Sequence, residues 1–407
     1  MQAIRRALVM AVGSGGDVAP FAAVAAQLAA RGLDTTLMAP QRYAPYVAGS
    51  GVAFVSIGAE DVFTRVFDGA DIWDARRGLA ASWTYYDAAM RSAYPMVRAG
   101  WHARDTLLLS SSFAVAARLA EERDGFRNCT VHLSPSIIFS AEAPPRWPLL
   151  SIPPHWPLGL RRFLMRLSER VGTEPLLGRY INAFRAELGL APQRWLLSHW
   201  IHSPAQVLYA FPSWFAEPAG DWPAQGQCAG FPLARLGQTS LPADVADWLG
   251  GEAVLITAGT AVAQRPAWVT RAIAAVRARG WRALVVEPQP GPAQDDVLSL
   301  PFLPFDAVLP HVKGIVHHAG IGTALAAMRA GVPQLLQPSA HDQPDNAARL
   351  VALGVARPLS APEAWDWLSA GPTQALTQVV RARLAREGDG AARIAEMALA
   401  HAHHRSL

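Results

Sequence analysis

The sequence predicts an α/β protein made of two doubly wound parallel sheets. The chain has 407 residues, 51% of them apolar, which is enough to fill two separate cores. Short apolar runs alternate with stretches of helical period, the pattern of parallel strands joined by crossover helices. Each half also opens in the same way, with an apolar strand running straight into a glycine turn. Residues 7–12 lead into Gly13-Ser14-Gly15-Gly16-Asp17, and residues 253–256 lead into Thr257-Ala258-Gly259-Thr260. Ligands of such sheets lie at the carboxyl ends of the strands, so both turns are candidate binding elements.

Residues 18–31 read as a helix with Phe21, Val24, Ala25 and Leu28 on one face. Strands follow at 35–39, 52–57, 107–110 and 130–133, with helices at about 84–101 and 113–123. From 143 to 222 the texture changes: prolines crowd together and Trp147, Trp156, Trp195, Trp200, Trp214 and Trp222 are scattered through. That composition suits loops and helices inserted late in the first domain. Trp83, Trp147 and Trp200 are large enough to enclose an acyl chain, and equally suited to plain core. Residues 158–170 carry arginines on one side of a helical pattern. They form either a surface helix with its charges in water or a helix lying on an anionic membrane.

Residues 206–211 read as the last strand of the first domain, and the proline- and glycine-rich stretch 212–242 as the linker. The second series has a helix at 268–279 and strands at 283–286, 314–317 and 334–336. The resulting division is 1–225 for the first domain, 240–385 for the second and 386–407 for a final helical segment.

Composition excludes several classes. The chain has 36 basic and 32 acidic residues for a formal charge of +4, with no dense basic block, which argues against a nucleic-acid partner. Cys129 and Cys228 are the only cysteines, too few for a disulfide framework and consistent with a reducing compartment. No apolar run approaches the roughly twenty residues that span a bilayer, and residues 7–12 are too short for a signal segment. A cytoplasmic protein is the expectation.

The most informative stretch is His317-His318-Ala319-Gly320-Ile321-Gly322-Thr323. It reads as a strand end, a glycine turn and a helix that stops at Gly331. Gly320 and Gly322 let a ligand approach the backbone, and the first helical amides lack internal partners, so the turn is a seat for an anion. His317, one residue earlier on the strand, points the other way and is expected to be packed. About twenty residues on, the polar cluster Ala340-His341-Asp342-Gln343-Pro344-Asp345-Asn346 opens a further helix, and its side chains could bind hydroxyl groups, with helix capping as the rival role for Asp342. Asp17 is a candidate general base in a turn facing the crevice, or an ordinary helix cap. No Asp-x-Asp pattern is present to hold a metal, and His401, His403 and His404 have no acidic or thiol companion at ligand spacing.

With residues 13–20, Gly259-Thr260, 302–311, His318 to Thr323 and Asp342-Gln343 all in order, the chain resembles family 1 glycosyltransferases over nearly its whole length. Ser134-Pro135-Ser136, His202-Ser203-Pro204, Phe211-Pro212-Ser213-Trp214-Phe215-Ala216, Asp221-Trp222-Pro223 and Gly230-Phe231-Pro232-Leu233 are similar to the rhamnosyltransferases of bacterial rhamnolipid assembly. The resemblance implies the GT-B fold: two Rossmann-like doubly wound domains facing across a cleft, with the last helix crossing back to the first domain. It implies an inverting, metal-independent hexosyltransferase moving L-rhamnose from dTDP-L-rhamnose to the hydroxyl of a lipid-like acceptor such as a 3-(3-hydroxyalkanoyloxy)alkanoate. Sterol and macrolide glucosyltransferases share the strings less fully, so glucose transfer from UDP-glucose to a hydrophobic small molecule stands beside it. A sugar-nucleotide epimerase and a non-catalytic auxiliary subunit stand further back.

Carried over residue by residue, the resemblance makes Asp17 the base, where many members have histidine. His318, Gly320, Gly322 and Thr323 take the diphosphate, and Thr260 adds a hydroxyl. Phe302 lies against the nucleotide base, Leu303 bonds it through its backbone, and Asp342 and Gln343 hold sugar hydroxyls. Implied partners are a dTDP- or UDP-sugar, which is a co-substrate and not a bound cofactor, a lipid-like acceptor and peripheral contact with the inner membrane.

Overall fold

The computed structural model describes residues 4–233, 240–249, 252–259 and 265–404. They fall into two units, one drawn from Met1–Phe67, Ala75–Arg235 and Asp389–Leu407, the other from Asp68–Asp74 and Leu236–Gly388.

The first unit holds seven strands: β1 (Arg6–Met10), β2 (Asp34–Ala39), β3 (Ala53–Ser56), β4 (Thr106–Ser111), β5 (Arg127–His132), β6 (Gln206–Tyr209) and β7 (Gly226–Cys228). All pair in parallel, in the order β3-β2-β1-β4-β5-β6-β7. The chain moves outward from β1 to β3 and then returns to the far side of β1 for β4. The carboxyl ends of β1 and β4 therefore flank the point where strand order reverses, the place where such sheets bind ligands. Every residue of β4, and all of β1 after Arg6, is buried, as strands covered on both faces require.

Strand β7 lies in the stretch expected to be linker. Its sequence, Gly226-Gln227-Cys228, has no branched apolar residue, and it is a strand because β6 offers it an edge. Gly226 is needed there, because a Cβ would meet the ring of Tyr209 at 2.5 Å. The helix expected from residue 18 begins earlier, as Gly15–Ala29. Ser14 is its N-cap, and Asp17 lies inside the first turn, accepting from the Ser14 backbone N–H at 2.7 Å and the Ser14 hydroxyl at 2.8 Å. Asp17 is thus the third-position partner of a capping box and not the N-cap itself.

The final helix, Gly390–His404, belongs to this first unit. Its buried residues Ala391, Ile394, Ala395, Ala398 and Ala402 form one stripe of mostly small side chains, which lets it pack closely on the helix Gly15–Ala29. Gly390 donates its N–H to Phe231 O at 3.0 Å, and a Cβ there would strike the backbone of Gly230 and Phe231. Gln206 Nε2 donates to Met397 O at 3.1 Å and ties the helix to β6.

The large aromatics expected either to enclose an acyl chain or to fill core turn out differently from one another. Trp83 and Trp200 are buried. The guanidinium groups of Arg118 and Arg185 both lie over the Trp200 ring, and its indole N–H donates to Glu122 at 2.8 Å. Arg185 is itself buried and clamps Glu122 with bonds of 2.7 and 2.8 Å. Trp147 is half-buried, its indole N–H donating to Ser136 O at 3.0 Å.

The second unit carries six parallel strands: β8 (Ala253–Thr257), β9 (Arg282–Val286), β10 (Val297–Leu300), β11 (Gly314–His317), β12 (Gln334–Leu336) and β13 (Ala356–Pro358). Their order is β10-β9-β8-β11-β12-β13. Here β8 and β11 flank the reversal, in the register Thr257↔His317, so the turns after both strands open at one edge. Buried clusters cover the two faces. Val254, Ile256, Val285 and Val316 belong to one, and Leu255, Leu284, Ile315 and Leu303 to the other. Strands β10 and β13 were not anticipated. Both are edge strands of three or four residues, too short for a periodic signal.

Candidate active site

In the second unit the turn after β11 is built around two histidines. His317 is fully buried, donates Nε2–H to Gln334 Oε1 at 3.0 Å and accepts the Ala319 N–H on Nδ1 at 3.2 Å. Burial pulls its imidazole down to about 3, so the ring is neutral and its tautomer is set by these two partners. The bond to Ala319 holds that residue at φ +67°, a left-handed conformation that costs a non-glycine residue on the order of 1 kcal/mol. His317 is therefore the latch of the turn.

His318 lies on the other side of the chain. Its ring packs against Gly259 and Gly320: a Cβ on Gly259 would lie 2.6 Å from Cε1, and one on Gly320 would strike Nε2. The two glycine turns thus exist to make room for one imidazole. Burial lowers His318 to about 4, and its Nδ1 is buried without a partner. A neutral ring carries a single N–H and no formal charge, so it has at most one donor to give an anion, which is less than an imidazolium would supply.

The helix Ile321–Ala330 then starts at Gly320 with no side-chain cap. Its first internal bond runs from Ala324 N–H to Gly320 O at 3.0 Å, which leaves the amides of Ile321, Gly322 and Thr323 open at the positive end of the helix dipole. Gly322 is exposed and Thr323 half-buried. Open amides, the dipole and a hydroxyl are together able to receive an anion. Thr260, expected to add a second hydroxyl, lies outside the described residues.

Asp342 precedes the helix Gln343–Ala352 but makes no cap bond, so the capping role is set aside. Its Oδ2 instead accepts from Asn346 Nδ2 at 2.7 Å, and the same amide donates to Ala319 O at 3.2 Å. Asn346 is fully buried and joins the Asp342 carboxylate to the glycine turn. The sequence places Asn346 in the polar cluster that opens this helix but gives it no role of its own, although the four-residue spacing from Asp342 is a readable signal. Gln343 is buried, and its Oε1 accepts from Ser339 N–H, Ser339 Oγ and Ala340 N–H at 2.8, 3.0 and 3.2 Å. Only its amide nitrogen is left for a ligand. His341, of the same cluster, sits at φ +56° and donates Nε2–H to Ile72 O at 2.7 Å, with the Trp73 ring edge-on.

Phe302 is 57% exposed, which removes the plain-core reading, while the Leu303 side chain is only 3% exposed. Leu303 thus anchors the strand-end loop, and Phe302 presents a free aromatic surface.

In the first unit, Gly13 at φ +121° brings the backbone under the Asp17 carboxylate, which a Cβ would meet at 2.5 Å. Asp17 is half-buried and lies at the carboxyl end of β1, at the strand-order reversal of this sheet. Among the described residues no three His, Cys, Asp or Glu side chains are grouped to hold a metal ion. No described helix is long and apolar enough to cross a membrane.

Two family models match the chain: the glycosyltransferase family 28 N-terminal domain over residues 7–123, and the erythromycin biosynthesis protein CIII-like C-terminal domain over residues 288–404. The chain is 29% identical over 373 residues to O-mycaminosyltylonolide 6-deoxyallosyltransferase of Streptomyces fradiae, covering 86% of this chain and 84% of that one. Among solved structures, the glycotransferase of kitacinnamycin superposes with a TM-score of 0.72 at 18% identity, covering 98% of this chain and all of the other. Spinosyn rhamnosyltransferase SpnG, solved with thymidine diphosphate, superposes with a TM-score of 0.65 at 17% identity, covering 96% and 99%.

Proposed function

From the premise that the chain is a nucleotide-sugar-dependent hexosyltransferase of the GT-B fold, with a family 28 type N-terminal domain and an EryCIII-like C-terminal domain, we propose that it moves L-rhamnose from dTDP-L-rhamnose to the hydroxyl of a lipid-like acceptor, with inversion and without a metal. The open amides of Ile321, Gly322 and Thr323, beside the neutral His318 ring, carry the donor half of this reading.

In the proposed reaction the Asp17 carboxylate takes the alcohol proton as the oxygen attacks the anomeric carbon from the side opposite the diphosphate. The bond from that carbon to the diphosphate breaks, and the electron pair leaves with the nucleotide. The amides, the Thr323 hydroxyl and the helix dipole stabilise the charge that collects there. Thr260 adds a further donor, Phe302 and Leu303 hold the base, and Asp342 and the Gln343 amide hold the sugar. A uridine donor carrying glucose is the alternative.

The donor reading is tested by thermal denaturation. Thymidine diphosphate at about a hundred times its dissociation constant is expected to add roughly 2.7 kcal/mol of stability, with a smaller gain from uridine diphosphate. A larger gain from the uridine nucleotide would move the assignment to the glucose reading, and no gain from either would remove it.

A lipid-like acceptor also fits the surface of the helix Leu158–Ser168 and the turn after it. Trp156, Leu160, Phe163, Leu167 and Val171 are all exposed, Phe163 at 60% and Val171 at 65%, and their spacing puts them on one stripe. Arg166 and Arg170 are exposed beside them, as is Arg162, which pairs with Glu142 at 3.4 Å. Glu169 turns inward to cap Leu197 and Ser198, and Glu174 caps Trp195. An apolar stripe flanked by arginines suits peripheral contact with an anionic membrane. The chain is expected to sediment with vesicles containing anionic lipid, and the double variant Phe163→Asp, Leu167→Asp to remain in the supernatant. Equal pelleting of the two would count against membrane contact.

A further inference from the structure

A short segment from an earlier part of the chain is bonded to the cluster that carries Asp342 and Gln343, and no step of the proposed reaction uses it. Residues Asp68–Asp74 fall in the second unit, although Phe67 before them and Ala75 after them belong to the first. They hold one short turn, Asp71–Trp73. Its centre, Ile72, is buried and receives the His341 Nε2–H on its carbonyl oxygen at 2.7 Å. The Trp73 ring meets the imidazole edge-on, with centroids 5.8 Å apart. A carbonyl oxygen has no proton to give, so the hydrogen lies on His341 Nε2 whatever the charge of the ring, and the bond fixes where the ring sits.

What the bond holds is a strained backbone. Four non-glycine residues among those described have a positive φ: Ala59, Trp195, Ala319 and His341. Two of the four stand on the donor side, Ala319 in the glycine turn and His341 just before the helix Gln343–Ala352, and strain of this kind gathers where a ligand is met. At φ +56° His341 is in a conformation that costs on the order of 1 kcal/mol and persists only when its surroundings impose it. The chain on its two sides is tied separately. Before it, the Ser339 and Ala340 amides donate to Gln343 Oε1 at 2.8 and 3.2 Å. After it, Asp342 Oδ2 accepts from Asn346 Nδ2 at 2.7 Å. A change in the sign of φ at residue 341 would swing the Ser339 and Ala340 amides away from Gln343 and turn Asp342 relative to Asn346. The directions of both side chains therefore depend on the conformation that Ile72 O secures.

We propose that His341 is a positioning residue for the donor sugar, anchored on Ile72 O and acting through Asp342 and Gln343. This rests on the transfer reading, in which that pair holds the sugar hydroxyls, and adds to it the turn Asp71–Trp73 as a part of the donor site. Hydrogen bonds to hydroxyls are directional, and a carboxylate or amide turned aside no longer meets its partner. The diphosphate seat is secured differently, by the helix Ile321–Ala330 and by the His317 bond to Ala319. Loss of the anchor should thus weaken the hold on the sugar and leave the hold on the nucleotide.

Titration calorimetry with two ligands that differ only by the sugar, dTDP-L-rhamnose and thymidine diphosphate, tests this. UDP-glucose and uridine diphosphate replace them if the uridine nucleotide gives the larger thermal gain. In His341→Ala the Kd for the nucleotide sugar is expected to rise about tenfold, the scale of one lost hydrogen bond to a charged group, while the Kd for the nucleoside diphosphate stays within about twofold. His341→Gln, whose amide can donate to Ile72 O in place of Nε2–H, should recover most of the loss. Where His341→Ala does not fold, His341→Gly, which takes either sign of φ without strain, replaces it with the same expected direction. An unchanged Kd for the nucleotide sugar overturns the inference. So does an equal loss for both ligands, which would make His341 a residue of the fold alone. A wild-type chain that binds neither ligand would bring down the transfer reading and this inference with it, an outcome distinct from a failure confined to the variants.

Discussion

Asp17→Asn is expected to lower turnover by at least about a hundredfold while leaving nucleotide binding and folding nearly intact. A positioned general base contributes on the order of a hundredfold to ten-thousandfold in rate, and an amide cannot take the alcohol proton. The substitution separates this role from the structural one because of what the carboxylate does in the fold. Asp17 Oδ2 accepts from the Ser14 N–H and hydroxyl at 2.7 and 2.8 Å, and an asparagine carbonyl oxygen in the same place can accept both. The helix Gly15–Ala29 should therefore keep its start, with a stability change below about 1 kcal/mol. Asp17→Ala removes both roles and should lose turnover together with some of that capping energy. Steady-state rates and denaturation midpoints on the two variants decide the matter. If Asp17→Asn turns over like the wild type, Asp17 is a capping residue only.

Acidification should strip stability from both units before their carboxylates are protonated. His132 is held well below its ordinary value, His202 and His318 at about 4 and His317 at about 3, in each case chiefly by burial. A depressed histidine leaves stability whole above the unfolded value near 6.5 and removes it as pH falls toward the folded value, because the unfolded chain takes protons that the folded chain refuses. Each such histidine costs about 1.4 kcal/mol per pH unit in that window. His132 and His202 lie in the first unit and His317 and His318 in the second, so each unit should lose about 2.7 kcal/mol per pH unit. Falling from pH 6.5, that slope removes about 4 kcal/mol by pH 5, most of the stability of a domain at the low end of the typical range of roughly 5 to 15 kcal/mol, so a marked loss of stability is expected by pH 5. The Glu122 carboxyl is held low by its hydrogen bonds to Arg185, so its loss comes at lower pH and does not blur the transition. Denaturant midpoints measured from neutral pH down to about pH 4.5 check this. A midpoint that does not fall through that range would mean the four rings are not neutral and buried in solution.

The local pieces of both sheets were legible because their signal is local. Fully apolar runs such as Leu8-Val9-Met10 and Val254-Leu255-Ile256 can only be strands covered on both faces. A glycine turn opening a helix announces an anion seat from its own backbone, and the open amides of Ile321, Gly322 and Thr323 follow from Gly320 standing where a capping side chain would. Lone short strands were not legible: β7, β10 and β13 owe their conformation to the neighbour they pair with. The uses of polar side chains were equally hidden. Asp342 and Gln343 were legible as the polar opening of a helix, yet Gln343 gives its oxygen to Ser339 and Ala340, and Asn346, named in the same cluster without a role of its own, reaches Ala319 O. Ile72 and His341 stand 269 residues apart in sequence, brought together only because the segment Asp68–Asp74 packs within the second unit. Sequence fixes what a residue can donate, accept or bury, and spacing decides this within a turn of helix or strand. Which distant residue sits opposite, and therefore which lone pair or proton is left for a ligand, is decided by packing across the sheet.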